Sequence, residues 1–153
     1  MALRKIVTKE DPVLRKVCKP VEKFDEKLAS LLDDMAETLA KAQGVGLAAP
    51  QVGFLKRLFI MDLGEGIIEC INPQIVKESG KQKVMEGCLS CPDQWGYVVR
   101  PAKVKLKAQD RNGKFFTLSL TELGAQCASH ENDHLDGHLF IDKVVEFVKP
   151  EEE

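Results

Sequence analysis

The run His130-Glu131-Asn132-Asp133-His134 puts two imidazoles and a carboxylate where they can assemble most of a hydrolytic metal centre. On a helix, residues four apart sit one above the other on the same face. His130 and His134 can therefore offer two nitrogens to one ion, while Glu131, one step round, can reach a water bound to it. A surface helix carrying these residues by accident is a weak alternative, because the chain has three histidines and two fall at this spacing. A catalytic site of this kind needs a third protein ligand and a position left open for water. The sixth position after His134, where one protease class carries a third histidine, is Phe140, and His138 is out of register. Only 19 residues follow His134, which leaves little room for a ligand on a later helix. The best remaining candidate is Cys88, in Glu86-Gly87-Cys88-Leu89-Ser90-Cys91-Pro92, since a thiolate binds zinc or ferrous iron strongly. The glycine and proline there imply an extended, tight segment able to run beside the helix. A small buried cysteine would look the same taken alone.

The elements that must position these residues follow from periodicity. Leu28, Leu31, Leu32, Met35 and Leu39 recur at helical spacing from about Asp25 to Ala42, with Asp25 as the cap and Gly44 as the stop. Arg57 to Asp62 and Ile67 to Ile71 are apolar runs too short for helices and read as strands. Lys103 to Ala108 alternates lysine with apolar residues, a half-buried strand with a solvated lysine face. Asn112-Gly113 turns it into a partner strand through Phe116, Leu118 and Leu120. A second helix runs from about Thr121 to Leu135 and stops at Gly137. On it Leu123, Cys127, His130 and His134 form one stripe and are expected to point inward. The order helix, strands, helix predicts an α+β fold, with mostly antiparallel sheets packed around the metal-binding helix and a further helix near the N-terminus.

Composition bounds the rest. At 153 residues the chain is expected to be one domain over 1–148, and Lys149 to Glu153 reads as a short acidic tail. A net charge of -2 gives no electrostatic case for nucleic acid or an anionic membrane. No apolar run approaches the roughly 20 residues that span a bilayer, and the first residues lack the apolar core of a signal peptide. Five cysteines, an odd number, suit reduced thiols in a cytoplasm better than a disulfide framework.

Three motifs together resemble the peptide deformylase family: Gly44-Val45-Gly46-Leu47-Ala48-Ala49-Pro50-Gln51, Glu86-Gly87-Cys88-Leu89-Ser90 and His130-Glu131-Asn132-Asp133-His134-Leu135. The likeness extends through Asp11-Pro12-Val13-Leu14-Arg15 and Arg100 and covers nearly the whole chain. It implies Cys88, His130 and His134 as metal ligands, with ferrous iron the ion in the cell and zinc, nickel or cobalt able to replace it. It implies Glu131 as general base and later proton donor, and the Gln51 side-chain amide and Leu89 backbone N–H as oxyanion donors. Val45, Glu86, Leu123 and Cys127 would border a pocket for a methionine side chain. Gly46, without a side chain, would let a substrate backbone lie close against its loop as an added strand, and Gly87 is a further substrate-binding candidate. The implied reaction is removal of formyl from N-formylmethionine on nascent chains, with the ribosome as the expected place of encounter. Asp133 is expected to pair with Arg100.

The sequence departs from the family pattern at Ser129, usually glutamine, at Cys91, usually aliphatic, and at Gln126 near the pocket rim. Two rival readings share the motif. Cys88-x-x-Cys91 with the two histidines could close a structural Cys₂His₂ zinc site, or the site could serve a metallopeptidase cutting internal bonds.

Overall fold

Most of the expected elements form in the computed structural model, which describes residues 2–148. The expected acidic tail lies outside the described residues. In chain order these are helix α1 (Glu26–Ala42), strands β1 (Gly46–Ala48), β2 (Leu58–Asp62), β3 (Ile67–Ser79), β4 (Gln82–Cys88), β5 (Cys91–Arg100), β6 (Lys103–Gln109) and β7 (Phe115–Thr121), helix α2 (Glu122–Leu135) and the short strand β8 (Glu146–Phe147). One antiparallel sheet has the order β1-β2-β3-β6-β7, and a second has the order β4-β5-β8.

The core explains the sequence pattern of β2, Leu-Phe-Ile-Met, which is apolar at every position. Alternate side chains leave opposite faces of a strand. Leu58 and Ile60 pack with Leu28, Leu32, Met35 and Leu39 of α1, while Phe59 and Met61 pack with Ala125, Cys127 and Ala128 of α2. The strand is thus covered on both faces and needs no polar alternation. In β6 the lysines are exposed and Val104, Leu106 and Ala108 are buried, as the alternation requires.

Several expectations are corrected. Asp25 caps α1, its carboxylate accepting from the Leu28 N–H at 3.1 Å, but the left-handed residue after the helix is Gln43 (φ 55°), not Gly44. Strand β3 does not stop at Ile71. It continues to Ser79 through an irregularity between Ile71 and Gln74, where Asn72 takes φ 50° and Pro73 is accommodated. The β4–β5 hairpin, which carries Cys88 at its tight end, has no clear alternation and was expected only as an extended segment. The β6–β7 turn is wider than Asn112-Gly113: Gln109 pairs with Phe115, and Asp110 Oδ1 accepts from the N–H groups of Asn112 and Lys114. On α2, Cys127, His130 and His134 are buried, but Leu123 is 51% exposed. The stripe ends one turn early because the first turn of the helix lies at the lip of a cavity.

Candidate metal centre

Elements distant in the sequence bring the candidate donors together. Cys88 ends β4, and His130 and His134 stand on consecutive turns of α2. One donor atom from each of the three lies within 4.8 Å of the others, with Cys88 Sγ 3.4 Å from His134 Nε2. Cys91 does not join this cluster among the described residues. Glu131 turns its Oε2 to 4.0 Å from His130 Nε2, and its Oε1 is buried without a hydrogen-bond partner.

The His130 imidazole is oriented for ligation. Glu86 Oε1 lies 2.7 Å from His130 Nδ1; as a carboxylate it can only accept, so Nδ1 carries the proton and Nε2 keeps its lone pair for an ion. Arg100 grips Glu86 with two donors, Nε to Oε2 at 2.7 Å and Nη2 to Oε1 at 2.8 Å. Its Nη1 reaches Asp133 Oδ2 at 2.7 Å, and Lys143 Nζ holds the same oxygen at 2.9 Å. The expected Arg100–Asp133 pair is therefore one link of a longer chain of charges. Ser129 Oγ lies 3.4 Å from Arg100 Nη1. The ring of Phe140 stacks on His130 with centroids 6.1 Å apart.

Burial and charge set the protonation states. Burial opposes ionisation of Glu86, but the hydrogen bonds from Arg100 and His130 outweigh it and hold the carboxyl down at about 2. Burial pushes the Glu131 carboxyl up to about 7, with partial relief from His130. Burial also drives His134 well below its ordinary value, which leaves the neutral form that binds metals. Contact with Cys91, burial and the charge of Glu131 all push the Cys88 thiol up. A cation fits this donor set: it would make Cys88 a thiolate and compensate the unpartnered Glu131 oxygen. One thiol and two imidazoles, with a carboxylate close by, fit a tetrahedral ion that keeps one position open.

The centre forms the floor of a cavity of about 550 Å³. Val45, Gly46, Glu86, Gly87, Leu123 and Cys127 all line it. Glu86 contributes to the wall, but its polar atoms are spent on His130 and Arg100 rather than offered to the cavity. Gly46 also has a packing reason to be glycine. A Cβ there would stand 2.7 Å from Glu131 Oε2 and 2.8 Å from Cys127 Sγ, so the missing side chain is what lets α2 approach β1. At Gly87 the same position is covered by the Trp95 ring, 2.6 Å away.

Gln51, from the single 3-10 turn after β1, is buried beside the centre. Its Oε1 accepts from the Ala48 N–H at 2.9 Å, which directs Nε2 towards Ser90 Oγ (3.1 Å) and Cys88 Sγ (3.5 Å). Leu89 occupies the turn between β4 and β5, partly exposed to the cavity. Sequence reasoning missed Ser90, which fixes Gln51, Trp95, which roofs Gly87, and the bond from Glu86 to His130. Only the last left a signal, a carboxylate two residues before a candidate ligand.

The family model described as polypeptide deformylase matches residues 3–150. A peptide deformylase of Caldicellulosiruptor bescii is 57% identical over 152 residues, covering 99% of this chain and 92% of the relative. One from Alkaliphilus metalliredigens is 54% identical, covering 95% and 99%. The crystal structure of peptide deformylase from Thermotoga maritima superimposes with a TM-score of 0.92 at 41% identity, covering 94% of this chain and 99% of that one.

Proposed function

This chain belongs to the polypeptide deformylase family, and from that premise we propose how its residues divide the work. The protein is a metal-dependent hydrolase that removes the N-formyl group from new polypeptides; the structural-zinc and metallopeptidase alternatives are not favoured. Cys88, His130 and His134 are assigned as the ligands on α2 and the β4–β5 hairpin, which makes α2 the metal-binding helix at the centre of the fold. The mixed thiolate and imidazole set suits ferrous iron in the cell and accepts zinc, nickel or cobalt. A divalent ion held there supplies Lewis acidity and a water that ionises near neutral pH.

Glu131 takes the proton from the attacking water and returns it to the departing amine, and its Oε1, buried without a hydrogen-bond partner, is free to accept it. Gln51 Nε2 and the Leu89 N–H are the donors for the oxyanion, fixed in advance because the other end of the Gln51 amide is tied to Ala48. Val45, Leu123 and Cys127 border the space for the methionine side chain, whose thioether suits an apolar wall. Strand β1 is an edge of its sheet, so a peptide can add to it as a further strand and run past the Trp95 ring that covers Gly87. Formylmethionyl nascent chains at the ribosome, in a cytoplasm, are the proposed substrates. Among the described residues no helix is long and apolar enough to cross a membrane.

The observation that carries these assignments is the convergence of three donors within 4.8 Å beneath the cavity, with Glu131 beside them. The test is formate release from a short N-formylmethionyl peptide by anaerobically prepared, iron- or nickel-loaded protein. Wild type should release formate, and Glu131→Ala should retain one metal per chain and lose most turnover. Substantial turnover by a metal-replete Glu131→Ala would remove Glu131 from the role of base.

A further inference from the structure

Cys91 stands directly across the β4–β5 hairpin from Cys88, as its Cα partner in the antiparallel register. Directly opposed residues in such a pair have Cα atoms about 4.5–5.5 Å apart, inside the range that a disulfide spans without backbone movement. Both side chains sit in the small apolar cluster with Leu14, Val98, Leu139 and Phe140. They differ in access. Cys91 is 1% exposed, whereas Cys88 is partly exposed on the floor of the open cavity. The remaining cysteines, Cys18, Cys70 and Cys127, are buried and belong to the separate cluster beneath α2. The spacing Cys88-x-x-Cys91 closes a short ring.

We propose that Cys91 is a resolving thiol for Cys88: oxidation of Cys88 by a small hydroperoxide is captured as a Cys88–Cys91 disulfide that a dithiol can reverse. In the first step the Cys88 sulfur attacks the peroxide oxygen. The O–O bond breaks, Cys88 becomes a sulfenic acid and the peroxide leaves as water or an alcohol. In the second the Cys91 sulfur attacks the Cys88 sulfur, the S–O bond breaks, and the Cys91 proton leaves with the hydroxyl as water. The neighbouring thiol thereby competes with further oxidation to the sulfinic and sulfonic acids, which are not reversed by thiols. Exchange with a dithiol returns both cysteines to thiols and oxidises the dithiol. The disulfide removes Cys88 from the donor set, so the device would also set metal release.

Metal-free and nickel-loaded protein are treated with a small excess of hydrogen peroxide, alkylated, digested and mapped by mass, beside Cys91→Val and Cys91→Ala. Wild type should lose two hydrogens, with the link inside the peptide spanning 88–91, and should recover its starting mass with dithiothreitol. Both variants should gain oxygen on Cys88 irreversibly. Nickel-loaded wild type should release its ion to a coloured chelator and rebind it after reduction. Irreversible oxygen gain on wild-type Cys88, or a disulfide that avoids Cys91, overturns the proposal, and the wild-type result stands even if a variant folds poorly. Only the chelator readout rests on Cys88 being a ligand. A disulfide without metal release would refute that assignment and leave the thiol pair intact.

Discussion

Arg100 is 2% exposed, and it tolerates that burial only because two carboxylates answer its guanidinium: Glu86 through a two-donor grip and Asp133 through the third nitrogen. Removing one partner of a buried ion pair strands the others, at a cost of about 3–5 kcal/mol. Arg100→Met is therefore expected to lower unfolding stability by that order, read from urea midpoints. It should also weaken metal binding about 10–100-fold, because Glu86 would no longer be held against His130. Unchanged metal affinity in a folded Arg100→Met protein would show that Glu86 orients His130 unaided. Gly46 gives a second prediction at this scale. The methyl of Gly46→Ala has to displace Glu131 or Cys127, so turnover should fall at least tenfold while bound metal stays at one per chain. Wild-type turnover would mean that α2 can withdraw without cost.

Helix α2 ends where the chain must turn back against the N-terminal segment. Gly137 takes φ 80°, and a Cβ added to it would lie 2.6 Å from the Arg15 carbonyl oxygen. Left-handed backbone alone costs a non-glycine residue about 1–2 kcal/mol. Gly137→Ala is thus expected to destabilise by more than that, with a lower melting temperature and a displaced His134, whereas the exposed, left-handed Gly64 has open space and should show the strain alone. Equal losses at the two sites would argue that the Arg15 contact relaxes freely. The stop at Gly137 was legible because a glycine followed the last periodic residue, and the stop of α1 was misread for the same reason, since Gln43 takes the left-handed position one residue earlier. Strand β6 was legible because its two faces see different solvents. The β4–β5 hairpin was not, because its apolar residues do not alternate cleanly: Met85, Trp95 and Val99 are exposed while Val98 is buried. The candidate donors Cys88, His130 and His134 were legible from residue type and spacing, whereas the grip of Glu86 on His130 left only a carboxylate two residues before a candidate donor, because the contact itself is a tertiary approach.

At the scale of the whole molecule, one cluster joins the five-stranded sheet to α2, and Cys70 lies at its heart with Phe59, Met61, Leu106 and Ala128. Burial pushes the Cys70 thiol up to about 12, while in an unfolded chain it titrates near about 8.5. Above the unfolded value, the unfolded state loses its proton while the folded state keeps it. Folding stability is then complete below about pH 8.5 and falls as pH rises towards 12, by ~1.4 kcal/mol per pH unit from this one group. Other groups titrate in the same window, so the decisive quantity is a difference. Urea unfolding of wild type and Cys70→Ala between pH 8 and pH 11 should show the variant less stable at the lower pH, through the cavity it opens. The gap should narrow steadily as the pH rises, because the variant has no thiol to hold neutral. Parallel slopes would mean that Cys70 ionises in the folded state with little penalty, and that the layer between the sheet and α2 admits water.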